Sequence, residues 1–298
     1  MINYELLPYL QDKVDLNTLL SHYDNDYLKV GLLLKELEDY GFNIIKELDS
    51  TGNLYFSLGN DVINNYLDII LKSNFLKVLI ISDMHIGNQN DGLNYIDKIY
   101  EYCKTNNINI IFNIGDIFAG VYSNYNDKLE LLNKQLDLFN TKYPYCNNII
   151  NVLILGNHDY ASYKSLGFNI SKYLKFRPDF INLGFGLGKI KIGNSSILLE
   201  HDLLLTNQPQ RDMSAKYIFR GHSHKFEIVG NQITVPALLN SNFYSNLTSF
   251  GFIEAKFTMD SKNEIESCSL KQFDIKDEFR LINNIELNNK NIKIKKKI

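Results

Sequence analysis

The sequence has few cysteines and no long hydrophobic run. Its three cysteines, Cys103, Cys146 and Cys268, are an odd number without CxxC or zinc-finger spacing, which argues against a disulfide framework and a thiolate metal site. The first residues lack the basic and then apolar pattern of a secretory signal. Apolar runs such as residues 149–155 are far shorter than the roughly 20 residues that cross a membrane. We therefore expect a cytoplasmic protein that is neither secreted nor membrane-spanning.

Charge is unevenly distributed along the chain. Residues 1–74 contain 5 Lys and 12 Asp and Glu, a net charge of −7, and residues 75–298 contain 26 Lys and Arg and 22 Asp and Glu, a net charge of +4. This difference predicts two domains, a small accessory domain over residues 1–74 and a larger domain over residues 75–298.

The accessory region has the pattern of a small α+β domain with a hairpin. Val30, Leu33, Leu34 and Leu37 have the i, i+3, i+4, i+7 spacing of one apolar helix face. Two helices followed by a two-stranded wing resemble a winged helix-turn-helix. The predicted elements are helices at residues 16–23, 26–40 and 61–72 and strands at residues 42–48 and 54–58.

A winged helix that binds DNA presents Lys and Arg to the phosphates. Residues 1–74 instead carry a net charge of −7. Packing, self-association or docking of a protein partner is therefore the favoured role of this region, and DNA binding is the alternative.

The larger region begins with alternating strands and helices, which is typical of a mainly parallel sheet. Past residue 180, short strands separated by Gly and Asn predict a second sheet with antiparallel members. Residues 288–298 form either an edge strand or a basic tail. The predicted strands are residues 76–82, 108–114, 149–155, 189–192, 196–200, 217–219, 226–229, 232–235, 251–257 and 268–273, and the predicted helices are residues 93–106 and 128–139.

Candidate metal ligands follow several of these strands. In open α/β sheets, ligands bind at the carboxyl ends of the strands, and a carboxylate beside an imidazole suits a divalent metal. Of the six histidines, only His22 lies outside these segments. The candidates are Asp83 and His85, Asp116, Asn157 and His158, His201, and His222 and His224.

The ordered motifs D-x-H, G-D, G-N-H-D, H and G-H-x-H across residues 78–224 resemble those of the calcineurin-like metallophosphoesterases. The resemblance implies a four-layer α-β-β-α sandwich of two mixed sheets flanked by helices. It also implies two divalent metal ions, which activate a hydroxide and neutralise phosphate oxygens. We expect Mn²⁺, although mixed oxygen and nitrogen ligands also accept Fe, Zn²⁺ or Ni²⁺.

The resemblance further assigns a role to each motif residue. It implies that Asp116 bridges the two ions and that His158 stays free near the leaving group, where an imidazole can donate a proton. Asp159 either orients His158 or caps the following helix. The implied ligands of one metal are Asp83, His85 and His224, and those of the other are Asn157, His201 and His222.

Differences between branches of the family narrow the substrate. Ser/Thr protein phosphatases continue G-D with x-x-D-R-G and have Glu after G-N-H, whereas residues 115–120 are Gly-Asp-Ile-Phe-Ala-Gly and Asp159 follows G-N-H. The motifs are most similar to the branch that contains the DNA-repair exonucleases. We therefore expect hydrolysis of phosphodiesters in DNA, RNA or a nucleotide. A phosphatase or diesterase for a small metabolite or cyclic nucleotide is the alternative, and an inactive scaffold is a second one.

Three loops that are expected to line the substrate pocket carry no recognisable signature, at residues 88–92, 119–127 and 208–214. Arg211 and Arg220 are interpreted as solvated charges, with phosphate contact as the alternative.

Overall fold

Two mixed β-sheets form the framework of the computed structural model, which describes residues 5–59, 66–201, 214–240, 248–276, 278–288 and 292–296. Within these residues one sheet has eight strands and the other has nine. A continuous hydrophobic core unites side chains of both sheets. The predicted α/β sandwich is confirmed. No helix in the described ranges is long and apolar enough to cross a membrane.

The first part of the chain is mixed in secondary structure. In chain order its elements are α1 (Leu7–Gln11), β1 (Val14–Asp15), α2 (Leu16–Ser21), α3 (Tyr27–Asp39), β2 (Ile44–Asp49), β3 (Leu54–Leu58) and β4 (Tyr66–Ile70). The two helices α2 and α3 begin at Asp15 and Asp26, whose carboxylates accept hydrogen bonds from the first turn.

The middle of the chain alternates strands and helices, as the pattern predicts. The elements are β5 (Phe75–Ile81), α4 (Leu93–Thr105), β6 (Ile110–Ile114), α5 (Lys128–Lys142), β7 (Ile150–Leu155), α6 (Asn157–Leu166), α7 (Ile170–Tyr173), a 3-10 turn (Leu174–Phe176) and β8 (Phe180–Phe185).

The remaining elements are all strands. They are β9 (Leu187–Ile192), β10 (Ser195–Glu200), β11 (Tyr217–Arg220), β12 (Glu227–Val229), β13 (Gln232–Thr234), β14 (Gly251–Met259), β15 (Ile265–Ile275), β16 (Phe279–Asn288) and β17 (Ile292–Lys296).

The eight-stranded sheet positions half of the motifs. Its order is β17-β16-β15-β14-β5-β6-β7-β8, with β5 to β8 parallel and β14 to β17 antiparallel. Strand β5 is buried on both faces: Val78 and Ile80 face the core between the sheets, and Leu79 and Ile81 face the helices. Burial on both faces explains why the parallel strands are almost continuously apolar.

The nine-stranded sheet includes the strands of the first 70 residues. Its order is β1-β3-β2-β4-β9-β10-β11-β13-β12. Strand β4 pairs in parallel with β9 through Tyr66 and Lys189 to Ile69 and Ile192. Residues on both sides of position 74 therefore share one sheet and one core, and the division into two domains stays a prediction.

Two predictions about secondary structure are wrong. Residues 61–72 were expected to be helical, but Tyr66–Ile70 is strand β4, and residues 60–65 lie outside the described residues. The strands predicted at residues 251–257 and 268–273 were expected in the second sheet. They are β14 and β15, which pair with each other, and β14 also pairs with β5 of the first sheet. The last segment forms the edge strand β17, one of the two alternatives left open by its sequence.

Helix α3 packs closely on the 3-10 turn Leu174–Phe176. A Cβ atom at Gly31 would lie 2.1 Å from the carbonyl oxygen of Phe176, so only glycine permits this approach. The Nζ atom of Lys175 lies 2.5 Å from Oε2 of Glu38 on the same helix. The helix that corresponds to a recognition helix thus contacts the body of the protein with one face.

We predict that Gly31→Ala destabilises the protein, although alanine normally favours a helix by about 1 kcal/mol. Overpacking costs about 1–3 kcal/mol, and each kcal/mol shifts Tm by roughly 2–4 °C in proteins of similar size. Thermal unfolding should therefore show a Tm several degrees lower. The exposed helical variant Asn133→Ala is the control and should not lower Tm. An equal or higher Tm for Gly31→Ala would contradict the close packing of α3.

Candidate metal centre

The predicted ligands come together at one end of the sandwich. Asp83 and His85 follow β5, Asp116 follows β6, and Asn157 begins α6 directly after β7. The remaining histidines follow two strands of the other sheet, β10 and β11, which are parallel. The carboxyl ends of strands in both sheets therefore meet at the site, as expected for an α/β ligand site.

One group of ligand atoms surrounds the carboxylate of Asp83. Its Oδ1 atom lies 3.2 Å from Nε2 of His224 and 3.8 Å from Nε2 of His85. The two imidazole nitrogens are 3.3 Å apart. Its Oδ2 atom instead accepts hydrogen bonds from the Ser82 hydroxyl at 2.6 Å and from the backbone N–H of His222 at 3.0 Å. The His222 N–H also lies 3.2 Å from Oδ1, so Asp83 is held mainly through Oδ2 while Oδ1 faces the two imidazoles.

A second group includes Asp116, His201, His222 and Asn157. The Nε2 atom of His201 lies 3.0 Å from Oδ2 of Asp116, and Nδ1 of His222 lies 3.0 Å from Oδ1 of Asn157. A ligand nitrogen or carboxylate oxygen from each of Asp116, His201 and His222 lies within 4.8 Å of the others. The structure thus brings the second predicted ligand set together.

Asp116 lies between the two groups. Its Oδ2 atom is 3.0 Å from His201 Nε2 and 3.8 Å from His85 Nε2. Its Oδ1 atom accepts the backbone N–H of His158 at 2.8 Å. One carboxylate oxygen therefore faces histidines of both groups, which is the position that a bridging ligand needs.

The spacing of these atoms fits metal coordination. Ligands about 2.1 Å from an ion and about 90–110° apart are separated from each other by about 3.0–3.4 Å. The separations of 3.0, 3.2 and 3.3 Å fall in this range. The buried Nε2 atom of His201 makes no well-aligned hydrogen bond, although it lies 3.0 Å from Asp116 Oδ2; Ile114 O accepts a hydrogen bond from the Nδ1 atom at 2.6 Å. A cation would supply the missing partner, so the residues present fit a metal pair.

Electrostatics also favour cations at this site. Burial raises the pKa of the Asp83 carboxyl, but His201, His224 and His85 outweigh burial and hold this pKa well below its ordinary value. Burial lowers the pKa of His201, but Asp116 and Asp83 raise it to about 10. The buried carboxylates thus attract positive charge strongly.

The backbone is strained where the ligands lie. Asp83, His85, Asp116, His222 and His224 all have φ between 51° and 74°. Left-handed conformations are uncommon outside glycine, although Asp and His adopt them more often than most residues. Such strain costs roughly 1–3 kcal/mol per residue and is typical of functional sites.

His158 is fixed by backbone contacts and lies beside the ligands. Its Nδ1 atom lies 2.8 Å from Ala119 O, which accepts the N–H, and its Nε2 atom lies 3.9 Å from Asp116 Oδ2. Burial lowers the pKa of His158, and Asp116 partly offsets this effect. The ring is half-buried and therefore remains reachable from solvent.

Asp159 caps α6 and does not contact the ring of His158. Its Oδ2 atom accepts the N–H of Gly156 at 2.9 Å, and its Oδ1 atom accepts the N–H of Phe118 at 2.9 Å. Asp159 is fully buried and joins the loop after β6 to the start of α6. Of the two predicted roles, the structure supports capping, since Ala119 O holds His158.

Two further residues shape the site. Ser82 contacts Asp83, and Gln135 forms two hydrogen bonds with the backbone of Gly120 at 3.0 and 3.1 Å. Sequence reasoning missed both. Gln135 is a buried polar residue between Leu132 and Phe139 on the apolar face of α5, and this polar interruption is the signal that could have revealed it.

Gly156 allows close contact between the two ligand groups. A Cβ atom there would lie 2.2 Å from Asp116 Oδ1 and 2.6 Å from His201 Nε2. The motif glycine is therefore required by the space next to the bridging carboxylate.

Of the two arginines considered for phosphate contact, Arg220 lies within the described residues and Arg211 does not. Arg220 is not simply solvated, because its Nε atom lies 3.0 Å from Glu200 Oε2 and its guanidinium donates to Gln232 at 3.0 Å. Arg211 and Asp202, together with most of the predicted loop 208–214, lie outside the described residues.

The calcineurin-like phosphoesterase family model matches residues 76–226, just over half of the chain. This range contains every ligand described above. The chain belongs to the calcineurin-like phosphoesterase family. Because members of this family bind divalent metals and hydrolyse phosphoesters, membership implies a metal-dependent hydrolase.

Comparisons with individual proteins add distant similarities. No curated protein matches the sequence. The structure of nuclease MPE from Pseudomonas putida is 12% identical, with a TM-score of 0.33, over 72% of this chain and 96% of that chain. The structure of GAP50, the anchor in the inner membrane complex of Plasmodium, is 12% identical, with a TM-score of 0.43, over 74% of this chain and 90% of that chain.

We predict that Asp116→Asn lowers the bound metal from two ions per chain to one or fewer. The amide keeps the size of the side chain and an oxygen for the His158 N–H, but it loses the negative charge between the two groups. Elemental analysis after dialysis against Mn²⁺ measures the stoichiometry, and circular dichroism should show an unchanged fold.

Asp137→Asn, an exposed change on α5, is the matched control and should leave the metal content of the chain unaltered. Retention of two ions per chain by Asp116→Asn would show that this carboxylate does not bridge them.

Proposed function

We propose that the protein is a dinuclear metal-dependent phosphodiesterase that acts on DNA, RNA or a nucleotide. The observation that carries this proposal is that the six other ligand candidates gather on the two sides of Asp116, with His158 beside them and held through Nδ1 by Ala119 O. Metal ions held by these ligands would bind a phosphoester, and His158 would protonate its leaving oxygen.

The proposed ligands follow the two groups in the structure. Asp83, His85 and His224 hold one ion, Asn157, His201 and His222 hold the other, and Asp116 contacts both. When bound, two such ions supply a nucleophile at neutral pH and neutralise charge on the phosphate oxygens. We propose Mn²⁺, since oxygen and nitrogen ligands suit it; Fe, Zn²⁺ and Ni²⁺ remain consistent with the same donors.

His158 is proposed to donate a proton to the leaving oxygen. Because Nδ1–H donates to Ala119 O, the ring is held in one orientation and its Nε2 atom faces Asp116. The lowered pKa of His158 makes its protonated form a stronger acid, while leaving a smaller fraction of the ring protonated at neutral pH.

Motifs and charge support a phosphodiester substrate. Residues 115–120 lack the D-R-G continuation of protein phosphatases and are similar to the DNA-repair exonuclease branch. The net charge of +4 over residues 75–298 also favours a polyanionic substrate. A phosphatase or cyclic-nucleotide diesterase shares the same centre and is the alternative. An inactive scaffold would be expected to have lost ligands, and here the predicted set is complete.

For residues 1–74 we propose a winged-helix-like accessory domain that packs against the body and docks a protein partner or a second copy. The order α2, α3 and hairpin supports this fold. Glu38 on α3 pairs with Lys175 of the body, and Lys35 on the same helix pairs with Asp39. These contacts, with the acidic charge, favour packing over DNA binding.

The three free cysteines support the proposal of a reducing cytoplasm.

A substrate panel tests the proposed class. With Mn²⁺ present, we expect hydrolysis of single-stranded DNA, duplex DNA, RNA or a nucleotide diester to exceed hydrolysis of phosphomonoesters. A preference for a cyclic nucleotide or a monoester would support the alternative enzyme. No hydrolysis even of a generic aryl phosphodiester, with two ions bound per chain, would support the scaffold.

A variant of His158 tests proton donation. His158→Ala should keep both ions and lower kcat by on the order of 10²–10⁴ for loss of general acid catalysis. The loss should be smaller for a p-nitrophenyl ester than for a nucleotide ester, since p-nitrophenolate leaves without protonation. Stopped assays on both substrates and metal analysis on the same preparations provide the measurement.

His222→Ala is the contrasting variant, because it should remove metal and impair both substrates. If His158→Ala damages both substrates equally with its metal intact, His158 positions the phosphate and donates no proton. Lost metal in His158→Ala would mean that the ligand assignment is wrong.

A further inference from the structure

Two tyrosines extend from His158 towards solvent. The ring centroids of Tyr122 and His158 are 5.4 Å apart with an edge-to-face angle of 85°. Tyr125 lies next in line, 5.6 Å from Tyr122 at 67°, and is 42% exposed. The ring centroid of His85, a proposed ligand, lies 4.4 Å from that of His158. An aromatic row therefore connects the buried centre to the surface.

The loop that carries Tyr122 is held by hydrogen bonds to side chains of two helices, α5 and α6. Gly120 is held by both amide atoms of Gln135. The hydroxyl of Ser165 on α6 donates to Val121 O at 2.6 Å. Since Ala119 O also accepts the His158 N–H at 2.8 Å, Tyr122 and His158 are held relative to one another by the same short segment.

The chemistry of this loop indicates what it could contact. Residues 119–126 carry no charged side chain, so the loop forms no ion pair with a second phosphate and does not repel one by charge. What it offers is aromatic surface. Aromatic side chains stack on bases largely without regard to sequence, because each base has a π face.

We propose that Tyr122 and Tyr125 form a stacking surface for the nucleobase of the nucleoside whose phosphate lies beside His158. This inference rests on the proposed function and deepens it, because it makes the base, and not only the phosphodiester, part of what the site recognises. Tyr122 contacts the base directly and is the main determinant. The more exposed Tyr125 extends the surface.

Binding of nucleotides tests the proposal without relying on turnover. The full chain with Mn²⁺ is titrated calorimetrically with 5′-AMP, 3′-AMP and ribose 5-phosphate. At least one AMP isomer should bind about 5-fold to 150-fold more tightly than ribose 5-phosphate, the range expected for one stacked base. A deoxyadenylate tetranucleotide is titrated in the same way. Tighter binding of the tetranucleotide than of AMP indicates nucleic acid as the source of the base, and weaker binding indicates a free nucleotide.

Variants then assign the preference to the loop. Tyr122→Ala should reduce the ratio between AMP and ribose 5-phosphate to near one, whereas ribose 5-phosphate itself should bind as before. Tyr122→Phe keeps the ring and should keep the ratio, and Tyr125→Ala should reduce it partly. Tyr40→Ala is the control and should leave the ratio unchanged, because Tyr40 is an exposed tyrosine outside this loop, directly after the last residue of α3.

Two results would overturn the inference. One is equal binding of AMP and ribose 5-phosphate by the unaltered chain; the other is a preference for AMP that survives Tyr122→Ala. Failure of the proposed function is seen separately. If the substrate panel shows only monoester hydrolysis but the AMP preference depends on Tyr122, the stacking surface stands and the phosphodiester assignment falls.

Discussion

The arrangement of the metal centre depends on one buried carboxylate. Asp116 is 1% exposed, and its two oxygens have different partners: Oδ1 accepts the His158 N–H, and Oδ2 faces His201 and His85. A buried charge is tolerated only when it is paired. The nearest positively chargeable partner is His201: burial lowers its pKa, but Asp116 and Asp83 raise it to about 10, which favours a proton on the ring. Metal ions would replace that proton, so metal binding and proton release are coupled at this centre.

Placing several ligands around one carboxylate requires unusual backbone. Five of the proposed ligand residues have left-handed φ, and backbone hydrogen bonds hold at least two of them. Asp83 N–H donates to Gly115 O and His85 N–H donates to Asp116 O, both at 3.0 Å. Asp159 ties the loop after β6 to α6. Hydrogen bonds between neighbouring strand ends therefore help to offset the strain.

The structure brings the predicted site residues together, whereas two features of the fold around them were not predicted from the sequence. Ligands at strand ends could be predicted because parallel strands present their carboxyl ends at one edge, whatever the rest of the chain does. Strand β4 was predicted to be a helix because Tyr66–Ile70 is too short for its apolar pattern to distinguish the period of a helix from that of a strand. The place of β14 depends on pairing with β5, which lies about 175 residues earlier and leaves no local signal. The contact of Tyr122 with His158 likewise depends on the hydrogen bond between Gln135 and Gly120. The sequence of the loop alone therefore could not predict this contact.

In the proposed centre, two ions share Asp116. Anomalous diffraction from crystals grown with Mn²⁺ tests it most directly, because it locates each ion independently of activity. The account predicts two peaks about 3.5–4 Å apart, one beside Asp83, His85 and His224, the other beside Asn157, His201 and His222, with Asp116 between them. A single peak, or two peaks of which one lies away from Asp116, would contradict it.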